Sequence, residues 1–311
     1  MEQKSKILIV CSCNAGYVAP FIIEQVDSLK KLGVEIDFFI IKGKGLFGYL
    51  KNFPSMLRKI KSYRPDLIHA HCGFPGMLAV LQRKIPVIIT FHGGDVNEKG
   101  RNRTISKLAE RLAVFSIFVN PKLAAILKPR NSYDVISCGV DLSKNFFLDK
   151  REARIKLGLD LHKRLILFSS RFTRDVKNYP LAKSAVEPIG DVELIEMKGY
   201  SRYEVTLLMN ACDVLLVTSK HESGPLVVKE AMACGCPIVS TDVGDVRAII
   251  GKTEGCFITS FEPTDVSQKL SLALALDKRI NGRERIIELG LSLERVAEKI
   301  NLVYRQVLKV K

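Results

Sequence analysis

Two carboxylates and two cations in the second half of this 311-residue chain have types and spacing suited to anion chemistry. Glu222 and Glu230 bracket the run Ser223-Gly-Pro-Leu-Val-Val-Lys229. Their separation slightly exceeds two helical turns. Pro225 suits a first helical turn, where its missing N–H is not needed, and Ser223 is placed to cap it. The spacing predicts Glu222 in a loop above a helix N-terminus and Glu230 on the helix below. An anion there would meet the free amides of Leu226 and Val227, with a carboxylate on either side. That suits a nucleotide sugar: phosphates on the amides, ribose hydroxyls on Glu230, the sugar near Glu222. The plainer readings are a helix-dipole partner for Glu222 and a solvent-facing residue paired with a lysine for Glu230.

Arg171 follows the apolar run 164–169, and Lys177 comes shortly after it. A guanidinium offers phosphate oxygens a planar fork of donors, and an ammonium adds a compact charge. Such cations stabilise charge growing on a departing diphosphate. Two merely exposed basic residues are the alternative, in a chain with 48. In the first half, His92 follows the apolar run 86–91, with Gly93-Gly94 next. Glycines there let backbone approach a ligand closely. Gly16, in the turn Asn14-Ala-Gly16, can approach a diphosphate, although no Gly-x-Gly-x-x-Gly run is present. His69 and His71 alternate on one strand and read as structural.

Elements that would position these groups follow from the apolar pattern. Near-continuous apolar strands are predicted at 6–13, 34–41, 66–71, 86–91, 115–120 and 133–137, with helical stretches between them. The pattern restarts with strands at 164–169, 192–197, 213–217, 237–241 and 255–258. Helices near 179–187, 202–211, 225–234, 263–276 and 282–290 separate these, and an amphipathic helix closes the chain at 293–308. Continuous apolar strands alternating with helices mean a parallel sheet covered on both faces. The predicted fold class is therefore α/β, with two doubly wound Rossmann-like domains facing a cleft. The domains are expected at 1–145 (acceptor side) and 146–292 (nucleotide-sugar side), with the helix 293–311 packing back toward the first. Ligands in such sheets bind beyond the carboxyl ends of the strands.

Net charge is +15. Between Asp37 and Asp66 there is no acid, while Lys42, Lys44, Lys51, Arg58, Lys59, Lys61 and Arg64 are present. Leu46, Phe47, Tyr49, Leu50, Phe53, Met56, Leu57 and Ile60 are interleaved with them. Such a segment suits an anionic membrane surface. Equally, it suits a solvated helix packed on a sheet through the same apolar residues. No run reaches the roughly 18 apolar residues of a membrane span. Residues 1–6 are polar and 7–10 too short for a signal core, so a cytoplasmic protein is expected. Its eight cysteines read as free core thiols. Cys11-Ser-Cys13 and Cys234-Gly-Cys236 lack a second pair or histidines at zinc spacing. Neither metal nor cofactor is expected. Nothing resembles an RNA-recognition or helix-turn-helix motif, so nucleic acid is not an expected partner.

Taken in order, the segments resemble a family 4 glycosyltransferase of the GT-B fold, over nearly the whole chain and most strongly over 165–260. Glu222 to Glu230 resembles the family's Glu-x7-Glu motif, and Asp213-Val-Leu-Leu-Val-Thr-Ser219 the strand before it. Glu230-Ala-Met-Ala-Cys-Gly-Cys-Pro-Ile-Val-Ser-Thr-Asp-Val-Gly244 resembles the usual continuation. Ser170-Arg171 with Lys177 is similar to the basic pair that holds the donor diphosphate. Thr90-Phe-His-Gly-Gly-Asp95 resembles the His-Gly segment, and Gly139-Val-Asp141 the close of the first domain. The resemblance implies transfer of a hexosyl-type unit from a nucleoside diphosphate sugar to an acceptor hydroxyl, with retention and without metal. It places His92 at the donor sugar. Family habit and the basic segment imply a lipid-linked saccharide acceptor at the inner face of a membrane, in polysaccharide or lipopolysaccharide synthesis. Two alternatives are a nucleotide-sugar epimerase of the same architecture and a non-catalytic nucleotide-sugar-binding subunit. The second is fed by departures: Asp245 and Ala248 stand where the family often has Gly and Glu, and Leu293 where it often has Trp.

Overall fold

The computed structural model describes residues 5–13, 16–43 and 45–309. Asn14, Ala15 and Lys44 of the sequence reading, and the Leu46 side chain, lie outside the described set. The chain forms two compact units, one of residues 1–139 with 293–311 and one of residues 140–292.

In the first unit the strands are β1 (Lys6–Ser12), β2 (Glu35–Ile41), β3 (Leu67–His71), β4 (Val87–Phe91), β5 (Phe115–Phe118) and β6 (Tyr133–Val135). They form one sheet in the order β2-β1-β3-β4-β5-β6, and every pairing is parallel. Helices α1 (Pro20–Lys31), α2 (Gly45–Leu50), α3 (Phe53–Tyr63) and α4 (Gly73–Val80) connect the first strands. Then come α5 (Gly94–Asn97), α6 (Arg101–Leu112) and α7 (Pro121–Leu127). Alternate strand residues face opposite layers. Leu8, Val10, Ile68 and Ile89 join one buried cluster, and Ile7, Ile9, Leu67 and Ile88 the other. The sheet is thus covered on both faces, which is why its strands read as continuous apolar runs.

The second unit repeats the plan. Its strands are β7 (Arg164–Phe168), β8 (Val192–Glu196), β9 (Val214–Val217), β10 (Ile238–Thr241) and β11 (Cys256–Thr259). Their order is β11-β10-β9-β7-β8, all parallel. Helices α8 (Lys150–Leu157), α9 (Tyr179–Val186), α10 (Arg202–Ala211) and α11 (Leu226–Ala233) lie among them. They are followed by α12 (Val246–Ile250), α13 (Pro263–Ala275) and α14 (Gly282–Glu288). Leu165, Leu167 and Leu215 enter one cluster, and Ile166, Phe168 and Leu216 the other. The short α12 has no predicted counterpart, because five residues are too few to display a helical period.

The closing helix α15 (Leu293–Lys309) belongs to the first unit and packs on α1. Val296, Ala297, Ile300, Val303 and Tyr304 recur at three- and four-residue intervals and are all buried. Each buried Val or Ile contributes about 1.5–3 kcal/mol. Tyr304 adds a polar anchor, with its hydroxyl 2.6 Å from His69 Nδ1. Close backbone packing at the helix start leaves no room beside Gly139, where an added Cβ would lie 2.8 Å from Leu293 Cα.

Candidate functional site

In the second unit the chain is built to bring a lysine and a glutamate together. After β7 the backbone turns through Ser169 and Ser170 to Arg171. Phe172 N–H donates to Glu196 Oε1 at 2.8 Å, fixing this turn beside the end of β8. A 3-10 turn over Asp175–Lys177 follows. The Thr218 hydroxyl, just past β9, donates to the Lys177 carbonyl at 2.8 Å and the Asn178 carbonyl at 3.1 Å. Lys220 N–H donates to the Val176 carbonyl at 2.8 Å. These bonds staple the loop after β7 to the loop after β9. Lys177 Nζ therefore meets Glu222 Oε1 at 2.5 Å, with the side chains 9% and 19% exposed. Ser219 Oγ donates to the same oxygen at 3.0 Å. Arg171 is exposed.

Helix α11 starts one residue later than the sequence spacing predicts. Pro225, expected in the first turn, occupies the cap position, and no side chain caps the helix. Ser223, expected to be the cap, lies two residues further out. The backbone of Pro225 is extended (φ −66, ψ 108), which leaves it outside the helix, and its side chain has no acceptor with which to cap. The opening amides of Leu226 and Val227 thus sit at an uncapped positive helix end.

Glu230 lies on α11 and is buried rather than solvent-facing. Its partner is an arginine, not a lysine: Arg202 Nη1 of α10 stands 2.7 Å from its Oε1. A pocket of about 380 Å³ opens beside it, lined among others by Ser143, Phe146, Arg202, Tyr203 and Thr206.

Asp245 has a specific role in the packing. Lys229 of α11 is fully buried, and its Nζ lies 3.6 Å from Asp245 Oδ2. A Cβ on Gly224 would sit 3.3 Å from that same oxygen. Gly244 has φ +60, and a Cβ there would lie 2.8 Å from the Ser223 carbonyl oxygen. The turn before α12 therefore presses directly on the Glu222-Ser-Gly-Pro225 loop. Aspartate at 245 is matched by lysine at 229, an internal compensation. Ala248 is exposed on α12, and nothing in the structure explains it.

In the first unit His92 follows β4. Its Nε2 lies 3.0 Å from His71 Nδ1, and its Nδ1 3.9 Å from Cys138 Sγ. Phe21 covers the ring at 4.8 Å between centroids. Asp95 holds the following turn, accepting from Gly93 N–H at 2.8 Å and Gly73 N–H at 3.0 Å. Gly93 has φ +121, a conformation open in practice only to glycine. Burial pushes the His92 pKa down to about 4 and that of His71 well below the ordinary value. Gly16 N–H donates to the Cys13 carbonyl at 2.8 Å, and Gly16 has φ +91. A Cβ there would meet nothing within 4 Å, so the space beside it is open.

The sequence reading named Lys177, Glu222, Glu230 and His92 but not the residues that grip them. Ser219 and Arg202 were missed, as was Lys229, which meets Asp245 instead; His71, read as structural, is the residue that meets His92. A lysine beside Glu230 in the otherwise apolar helix Leu226–Ala233 and a histidine at a strand's carboxyl end were the available signals. Among the described residues no His/Cys/Asp/Glu group is arranged to hold a metal ion.

Two parallel α/β units, each with polar groups at strand carboxyl ends, define a nucleotide-binding class of architecture. Residues 20–144 match the family described as Glycosyltransferase Family 4, and residues 191–290 the one described as Glycosyl transferases group 1. The chain is 30% identical over 231 residues to Bacillus subtilis TuaC, a glycosyltransferase provisionally assigned to teichuronic acid biosynthesis, covering 64% of this chain and 59% of TuaC. It thus spans about three-fifths of that relative. It is 26% identical over 337 residues to the Campylobacter jejuni N,N'-diacetylbacillosaminyl-diphospho-undecaprenol alpha-1,3-N-acetylgalactosaminyltransferase, covering 92% of this chain and 89% of that one. Sucrose-phosphate synthase from Thermosynechococcus elongatus superposes with TM-score 0.83 at 17% identity, over 99% of this chain and 100% of that chain. Anabaena HepE, solved with UDP and glucose, gives 0.73 at 17% identity, over 97% and 100%. The likenesses establish the GT-B fold. The chain belongs to glycosyltransferase family 4.

Proposed function

We propose that this protein transfers a sugar from a nucleoside diphosphate sugar to a hydroxyl of a lipid-linked saccharide, with retained anomeric configuration, at the cytoplasmic face of a membrane. One observation carries the reading: Lys177, Glu222 and the uncapped end of α11 share one loop cluster beyond the carboxyl ends of β7 and β9. The diphosphate takes Arg171, Lys177 and the amides of Leu226 and Val227, and these stabilise its charge as the glycosidic bond breaks. Glu230, beside its pocket, takes the ribose. Glu222 and His92 are assigned to the transferred sugar, and the open turn at Gly16 to the diphosphate. Relatives supply the substrate classes: HepE was solved with UDP and glucose, and the Campylobacter enzyme is named for a diphospho-undecaprenol acceptor. The match between Lys229 and Asp245 removes one ground for reading the chain as a degenerate, non-catalytic subunit.

Membrane attachment is assigned to α2 and α3. Tyr49, Phe53 and Ile60 pack on the core and Met56 is buried there, so half of the interleaved apolar residues serve the sheet. Phe47, Leu50 and Leu57 remain exposed at 80%, 39% and 41%, among exposed Lys51, Arg58 and Lys61. Lys59 is spent on Asp37. Among the described residues no helix is long and apolar enough to cross a membrane.

The test is a panel of nucleotide sugars, read by calorimetric binding and by donor hydrolysis, with vesicles carrying lipid-linked acceptors for transfer. Saturable binding of one donor, lost in Arg171→Ala, supports the reading. No donor bound, or no effect of Arg171→Ala, defeats it. Product formed from donor alone, with the sugar inverted at a ring carbon, would mean an epimerase.

A further inference from the structure

We infer that the Lys177–Glu222 pair is an exchange switch operated by the donor: the diphosphate takes over the Lys177 ammonium and thereby releases the Glu222 carboxylate to the sugar. The inference rests on the donor site proposed above and adds what that site does on binding. Lys177 Nζ and Ser219 Oγ both address Glu222 Oε1, at 2.5 and 3.0 Å. The ammonium is 9% exposed and already neutralised. A diphosphate reaching it must compete with a carboxylate in place, and two anions on one buried cation repel each other. The diphosphate carries the larger charge and wins the ammonium.

Backbone around Lys177 is fixed by the Thr218 hydroxyl and by Lys220 N–H. Only the four-carbon side chain is left to swing, which suits lysine's flexible stem. Glu222 stays anchored by Ser219 on one oxygen, so its carboxylate is redirected rather than set loose. Without donor, the pair satisfies both charges internally. The carboxylate is therefore withheld from the sugar position until a diphosphate arrives.

The consequence runs against the usual expectation for a substrate-binding carboxylate. Glu222→Gln should bind a nucleoside diphosphate about tenfold more tightly than the wild type, because Lys177 no longer has to be drawn from a charge. Its turnover should fall. Ser219→Ala, which loosens the carboxylate without removing charge, should bind about two- to threefold more tightly. Adding Lys177→Gln to Glu222→Gln should abolish the gain. The measurement is titration calorimetry of the full chain with UDP, GDP and ADP in turn and with inorganic pyrophosphate. Circular dichroism and urea unfolding check that each variant is folded. Binding that is unchanged or weaker in both Glu222→Gln and Ser219→Ala overturns the exchange while leaving the donor site standing. Diphosphate binding absent from the wild type and both variants overturns the donor site and the exchange together.

Discussion

His71 Nδ1 and His92 Nε2 face each other at 3.0 Å across the carboxyl ends of β3 and β4. Both rings are held neutral by burial, so a single proton lies between them. His71 Nε2 is buried and has no hydrogen-bond partner among the described residues. A bare lone pair is tolerated there at less cost than a stranded N–H. The proton is thus assigned to His71 Nδ1, which donates to His92 Nε2. His92 then carries its own proton on Nδ1, toward the weak acceptor Cys138 Sγ.

That assignment makes His71 a positioning residue for His92. His71→Phe keeps an aromatic ring of similar size but supplies no proton. We expect sugar transfer to fall on the order of tenfold or more, with donor binding little changed. The distinguishing readout is the nitrogen NMR spectrum of His92. In the wild type it should show a single Nδ1–H tautomer, and in His71→Phe a mixture. A single unchanged tautomer in the variant would count against the assignment.

The same histidines set an acid limit on stability. The pKa of His92 is lowered to about 4 and that of His69 to about 3, both chiefly by burial. His71 is stacked on both rings, and their other neighbours are Thr90, Tyr304, Phe21 and Cys138. A group whose folded pKa lies below its unfolded value near 6.5 stabilises fully above pH 6.5. That contribution is lost as pH falls, and for His92 the loss is complete near pH 4. Each histidine should steepen the decline by about 1.4 kcal/mol per pH unit in this window. Asp37 and Asp141, held below the usual carboxylate range despite partial burial by Lys59 and by Ser143, act only at lower pH. Urea unfolding at pH 7, 5.5 and 4.5 should show the decline, with a shallower slope in His92→Phe. Equal slopes would remove His92 from the account.

Much of this was legible in the sequence, for a physical reason. The inner strands are buried on two faces and announce themselves as apolar runs, while the edge strands β6, exposed throughout, and β8, with two glutamates, carry a weaker signal; β1 through β11 nonetheless fall where the runs predict. The amphipathic stripe of α15 was equally plain, since Val296, Ile300 and Tyr304 recur at helical spacing. Partnerships across the sheet were not legible. Nothing local tells that Glu230 will meet Arg202 on a neighbouring helix, or that Tyr304 will bond His69, 235 residues away. The start of α11 was misread because proline favours both the cap boundary and the first turn, and only the backbone angles decide between them.

Asp245 offers the clearest test of such long-range matching. Lys229 is fully buried within α11, and the carboxylate near it is its counter-charge. Taking either partner away strands a charge in a dry site, at a cost of about 3–5 kcal/mol. Lys229→Met and Asp245→Asn should each therefore lower unfolding stability steeply. The double variant removes both charges together, and well-packed neutral replacements are often no worse than the pair they replace. It should recover most of the loss, an interaction energy of about 2–3 kcal/mol in a double-mutant cycle. Donor affinity should follow the same order, because Asp245 abuts Gly224 in the Glu222 loop. Urea unfolding and nucleoside diphosphate titration of the three variants measure both quantities. Additive losses in the cycle would show that Lys229 and Asp245 are not coupled, and that the aspartate is accommodated independently of the lysine.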